Sequence, residues 1–411
     1  MIISRRTAIA SGAALIAGRV FPARSQSAQP VIKLGVLNDQ SGPFRDVTGP
    51  GSTLAVQLAV ADFMAENKSL NVEVIFADHQ NKADVGAEIA RQWFDRDGVD
   101  VILDLPNSSV ALAVASIAKD KNKIIIGSGA GSNELTGRQC SPNTLQWTYD
   151  TYMVSKSTGA SVVKSGGDSW FFITADYAFG KALQHDAEAA VKAAGGKVVG
   201  SIAYPFPGTT DFSSFLLQAQ SSGAKVLALA NAGDDTVNCI KQAHEFGLMP
   251  NKMKVAALST QATDVRAIGL DLAQGLYLTE PFYWDMNART RAFTERYVKL
   301  GPKFWPDQNH AGCYAGALHY LRAVAAIGAA KAKADGAATV AQMKSMPVDD
   351  DCFGKYSIRA DGRVLVDAHL FAVKTPAESK GTWDVFKLVS TIPGADAFKP
   401  MSEGGCSFIA K

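Results

Sequence analysis

From residue 31 onward, short apolar runs alternate with longer segments of helical spacing. Val31–Leu37, Asn71–Ala77, Val99–Leu105 and Lys123–Gly127 are rich in Val, Ile and Leu and read as strands. Between them lie Pro50–Asn67, a segment from Asp84 with Val85, Ile89 and Trp93 at four-residue spacing, and one opening at Ser108 or Ser109. These read as helices. A second round begins after a connection near Trp147, with strands at Ser169–Thr174, Lys197–Ala203, Lys225–Ala230, Lys254–Leu258 and Gly275–Thr279. Its first helix, Phe179–Ala194, carries Phe179, Leu183, Ala187, Val191 and Ala194 on one face. Two more open at Asp211 and near Asp235, where each acid is placed as an N-cap.

Strand–helix alternation with short connections implies parallel sheets covered on both faces. Past Glu280 the pattern changes to helices Asn287–Leu300 and Asn309–Gly328, a shorter one near Ala338–Ser345, and strands Val364–Val373 and Trp383–Val389. At 411 residues the chain exceeds one ordinary α/β core. The expectation is two Rossmann-like lobes: residues 31–147 plus 281–369, and residues 148–280 plus 370–411.

Residues 1–25 hold a twin arginine (Ser4-Arg5-Arg6-Thr7), the apolar run Ala8–Ala17 and no acid, which is an export address of the twin-arginine type. The run is too short to span a bilayer, which takes about 20 residues. Cleavage after Ser25 or Ser27 fits the small-residue rule, and no cysteine is near to carry a lipid anchor. The expected location is the periplasm, as a soluble monomer. Removing Arg5, Arg6, Arg19 and Arg24 takes the formal charge from +2 to −2. No dense Lys/Arg run remains for nucleic acid or a membrane surface.

None of the five cysteines forms a CxxC pair. Cys140 and Cys406 sit in turn-rich polar segments and are the first choice for a disulfide; Cys352 with Cys406 is the rival. Cys239 and Cys313 fall within helical patterns and are expected to be buried and unpaired. There is no GxSxG elbow and no HExxH pair, the six histidines are scattered, and no cofactor is expected. The glycines of Gly127–Gly131 are not followed by a helix, which fails the dinucleotide-binding context. An exported enzyme is the weaker alternative.

In open parallel sheets ligands bind beyond the carboxyl ends of the strands. That rule selects Phe44 in the loop after strand one, Ser108 and Ser109 at a helix start, and Gly129, Ala130 and Gly131 after strand four. From the second lobe it selects Tyr177, Asn231, Asp234 and Thr260, with Tyr283 and Trp284 at the next crossing. A helix N-terminus and glycine-exposed N–H groups suit a carboxylate; capping by Ser108 and a plain glycine turn would explain the same residues. Phe179 heads an apolar stripe and belongs to the core.

At these loops the sequence resembles the leucine/isoleucine/valine-binding family of periplasmic receptors. The matching features, in order, are Ser41-Gly42-Pro43, Asp78 with Asp84, Glu134-Leu135-Thr136, Asp176-Tyr177-Ala178-Phe179-Gly180 and Asp211-Phe212-Ser213. The resemblance implies a bilobed Venus flytrap with a three-strand hinge that delivers ligand to ABC permease subunits. It also implies a ligand carboxylate held by Ser108, Ser109 and Gly129–Gly131, with Tyr177, Asn231 and the Thr260 loop closing over it. Family members that bind an amine usually present an acid from the second lobe, for which Asp234 and Glu280 are candidates. The Ser or Thr usual after strand four is replaced by Gly129-Ala130-Gly131. The ligand is therefore expected to be an aromatic or other organic acid, or a branched-chain amino acid, with the aromatic loops favouring the former. The same pocket could serve a sensory system.

Overall fold

The computed structural model describes residues 30–249 and 252–409, so the export segment, residues 1–25, lies outside the described residues. The first lobe is a parallel sheet of β1 (Val31–Asn38), β2 (Asn71–Asp78), β3 (Val101–Asp104), β4 (Ile124–Gly127) and β5 (Thr144–Gln146), in the order β2-β1-β3-β4-β5. The Val-Ile-Leu and Ile-Ile-Ile runs of β3 and β4 are buried throughout, as central strands covered on both faces must be. At the sheet edge β2 is half open to solvent and Phe76 stands exposed. Helices α1 (Gly49–Glu66), α2 (Ala83–Gln92) and α3 (Ser108–Asp120) connect these strands.

The second lobe begins with α4 (Thr151–Lys164) and a parallel sheet of β6 (Ser169–Ala175), β7 (Lys197–Tyr204), β8 (Val226–Ala230) and β9 (Lys254–Ala257), ordered β7-β6-β8-β9. Its connecting helices are α5 (Ala178–Ala193), α6 (Ser213–Ser221), α7 (Asp234–Glu245) and α8 (Ala262–Ile268). The predicted fifth parallel strand behaves otherwise. Tyr277–Glu280 pairs antiparallel with Ala368–Val373, which in turn pairs antiparallel with Phe386–Ile392. Helix Gln308–Ile327 packs on α1 and completes the first lobe.

Other expectations differ in detail. The strand anticipated from Val364 begins at Ala368. Asp235 does not cap α7: Gly233 occupies the cap position with φ +60°, and the buried Asp235 carboxylate accepts the Tyr204 hydroxyl at 2.6 Å. Asp211 precedes α6, where its side chain accepts from the Ser213 N–H at 2.9 Å. Cys140 and Cys406 are disulfide bonded, while Cys239, Cys313 and Cys352 are buried free thiols. That bond carries the tail, assigned from sequence to the second lobe with residues 370–411, back onto the first.

The crossing segments are held together by Arg363, whose buried guanidinium donates to the carbonyls of Thr148 and Tyr149 and lies 4.3 Å from the Phe398 ring centroid. No helix among the described residues is long and apolar enough to cross a membrane.

Candidate functional site

The two lobes face each other with their strand ends, and the loops there touch. Asp39, at the end of β1, is fully buried and accepts from the N–H groups of Gly42 and Phe44 (2.6 and 2.8 Å) and from Asn81 Nδ2 (2.6 Å). The loop is thereby folded so that Phe44 projects across the cleft. Its ring stacks on Phe206 of the second lobe (centroids 5.5 Å), and Phe206 stacks in turn on Tyr177 (4.3 Å). Each such pair contributes about 0.5–1.5 kcal/mol beyond its buried area.

Polar contacts complete the closure. The Ala178 N–H donates to Ser109 Oγ (3.3 Å), the Asp234 N–H to Pro43 O (3.0 Å), and Asn309 Nδ2 to Gln261 Oε1 (3.4 Å). Arg45 and Asp234 form an ion pair at 2.6 Å, with each side chain 38% exposed. At that exposure the pair contributes at most about 1 kcal/mol. Asp234 thus fastens one lobe to the other and is occupied by a guanidinium, which removes it as a reader of a ligand amine.

The helix start expected to receive a carboxylate has a different arrangement from the simple capping alternative. Asn107 is the N-cap of α3, and its side chain accepts from the N–H groups of Ser109 and Val110. Ser108 is the first helical residue; its Oγ accepts from the Ser132 N–H (3.1 Å). After β4, the Ser128 and Gly129 N–H groups both donate to Asp104 O, so Gly129 has no free donor. Among the described residues, the N–H groups of Ser108, Ala130 and Gly131 meet no protein acceptor. Of these free donors, that of Ser108 opens α3, where a helix N-terminus favours an anion.

Both glycines are also required by packing. A Cβ on Gly129 would lie 2.8 Å from Asp104 Oδ1 and from Pro106 Cα, and one on Gly131 would lie 2.5 Å from the Phe179 ring. The second contact runs between the lobes. Tyr149 stands beside both, donating its hydroxyl to Gly129 O (3.1 Å).

In the second lobe, Asn231 is buried; Oδ1 accepts from Thr236 Oγ1 (2.7 Å) and Nδ2 has no partner. Thr260 is buried with its hydroxyl on Ala257 O (3.2 Å). Tyr283 and Trp284 do not join this group. Both donate to Trp383 O at 2.7 Å, and Tyr283 also accepts from the Val385 N–H. Their rings pack with Phe371, Phe386 and Trp305, so their polar tips are satisfied inside an aromatic cluster.

The electrostatic character of the cleft comes from acids. Glu280, the last residue of the Tyr277–Glu280 strand, is 1% exposed and its Oε1 has no hydrogen-bond partner. Burial first, then Asp307 from the first lobe and Asp264 from the second, hold its carboxyl well above the usual range. Burial likewise raises Asp264 to about 8 and Asp104 to about 6. His310 is the imidazole among these acids. Burial alone would lower its pKa, but the Asp307 carboxylate 3.1 Å away and Asp104 raise it. One imidazole thus stands among four carboxyl groups, three of which burial shifts toward the neutral form. No three His, Cys, Asp or Glu side chains among the described residues are disposed to hold a metal ion.

Sequence reasoning named Glu280 but missed Phe206, Tyr149, Asp264 and Asp307. The strand-end rule applied to β7 would have found Phe206. Tyr149 lies just beyond β5, a three-residue strand that the pattern does not reveal, and Asp307 sits on a segment that no strand-end rule selects.

Comparison with known proteins places this geometry. Residues 31–382 match the family model described as periplasmic binding protein. A solved periplasmic binding protein from Burkholderia mallei is 46% identical, with TM-score 0.87, covering 92% of this chain and 98% of that one. A branched-chain amino acid ABC transporter periplasmic ligand-binding protein from Burkholderia xenovorans is 39% identical, with TM-score 0.78, covering 92% and 99%. A Leu/Ile/Val-binding protein homolog from Brucella suis is 26% identical over 316 residues, 74% of this chain and 76% of the relative.

Proposed function

The chain belongs to the periplasmic binding protein family, and we propose that it captures an amino acid between its lobes and delivers it to the permease of an ATP-driven importer. The observation that carries the amino-acid reading is Glu280: a buried, partnerless carboxyl that two further acids push toward its neutral form. A ligand ammonium would stabilise the ionised form of Glu280, whereas a purely anionic ligand would disfavour it further. The free donors of Ser108, Ala130 and Gly131 are the complementary place for the ligand carboxylate. This reading reverses the preference for an aromatic acid drawn from the aromatic loops, since Phe44 and Tyr177 both stack on Phe206. The names of the Burkholderia xenovorans and Brucella relatives point the same way. The receptor would work as a periplasmic monomer.

The sign of the pH dependence follows. Burial and the neighbouring acids disfavour the ionised form of Glu280 and a ligand ammonium favours it, so binding shifts this group toward proton release. Affinity should rise with pH until the raised Glu280 pKa is passed. Calorimetric titration with L-leucine at pH 7, in two buffers of different ionisation enthalpy, reads this directly. Net proton release is expected; leucine binding with no proton exchange would refute the role of Glu280.

A further inference from the structure

We infer that the C-terminal tail, residues 393–406, is a covalently fastened strap across the two lobes that limits how far the cleft opens. After the last strand, Phe386–Ile392, the tail leaves the second lobe and touches each lobe in turn. The Asp396 carbonyl accepts from Lys156 Nζ of α4 (3.0 Å). Phe398 is buried against Arg363, which ties the crossing segments. The Lys399 carbonyl accepts from Arg359 Nη1 of the first lobe (2.9 Å), while its ammonium lies 3.7 Å from Asp186 of α5 in the second. Asp186 is itself a junction: it also accepts from Thr151 Oγ1 (2.6 Å) and from Asn133 Nδ2 of the first lobe (2.8 Å). Beyond Lys399 the chain reaches Cys406 and its bond to Cys140 in the β4–β5 connection.

The disulfide spans 266 residues and therefore encloses the entire second lobe in a covalent ring. Opening must separate Asn133 and the Cys140 loop from Asp186. A tail anchored at Cys140 holds Lys399 beside Asp186 and opposes that separation. Lys399 and Cys406 are in this sense positioning residues for ligand capture. The inference concerns the closing motion and stands whichever solute is bound.

The test compares the oxidised protein with a Cys140→Ser/Cys406→Ser variant, with ligand removed from both. Energy transfer is measured between dyes on non-natural residues at the exposed positions Lys68 and Ser221, one on each lobe. Loss of the disulfide should lengthen the mean inter-lobe distance and broaden its distribution; an unchanged distribution overturns the strap. Lys399→Ala keeps the disulfide and serves if the double variant does not fold. It should shift the same distance in the same direction by a smaller amount, with no shift counting against the proposal. Because the measurement uses no ligand, its failure is distinguishable from failure of the amino-acid reading.

Discussion

Glu280→Gln should lower the affinity for L-leucine by about 30-fold or more at neutral pH, while raising the melting temperature of the ligand-free protein. The two effects have one cause. Neutralising one member of a buried charge pair typically costs at least about 2 kcal/mol of binding. Without ligand, the same substitution removes an uncompensated buried carboxyl beside Asp264 and Asp307 and relieves the folded state. Glutamine is close in volume, so packing at the crossing is preserved. Proton release on binding should disappear. Had Glu280 only a structural role, stability and affinity would fall together and proton exchange would not change. Calorimetry and a thermal melt of the one variant separate these outcomes.

Gly131→Val should abolish tight binding without unfolding either lobe. A Cβ at this position meets the Phe179 ring at 2.5 Å and the Tyr149 ring at 2.8 Å. Phe179 belongs to the opposite lobe, where it is buried at the start of α5. Rigid aromatic rings in a packed environment do not yield by the ångström required. Opening relieves the contact with Phe179, so that part of the cost falls on closure. Circular dichroism should be native-like, and the scattering radius should stay at its ligand-free value when leucine is added. Wild-type contraction with ligand would identify Gly131 as tolerant of a side chain and move the closing surface elsewhere.

How much of this was legible in the sequence varies with the physics involved. The strands of both parallel sheets are visible except the three-residue β5, because central parallel strands are apolar on both faces, as in the Ile-Ile-Ile run of β4. Helix α4 is not, because its buried positions include Ser155, Ser157, Thr158 and Gly159 and leave no apolar stripe to read. The strand-end rule selected Phe44, Ser109, Gly131 and Tyr177, which do meet across the cleft. It also selected Tyr283 and Trp284, whose hydrogen-bond acceptor, Trp383 O, lies about a hundred residues away and carries no local signal. Asp234 stands in the sequence as a candidate for a ligand amine because its partner Arg45 belongs to the other lobe. The charge of the site was the hardest part. Asp264, Glu280 and Asp307 are unremarkable one at a time, and only the closed fold brings them into electrostatic reach of one another.

The central claim is that the cleft reads an ammonium. The most direct measurement is calorimetric titration of the refolded, ligand-stripped protein with L-leucine and with 4-methylpentanoate, which has the same side chain and carboxylate but no amine. The account predicts heat and saturation with leucine and none with the deaminated acid at the same concentrations. Equal or tighter binding of 4-methylpentanoate would contradict it.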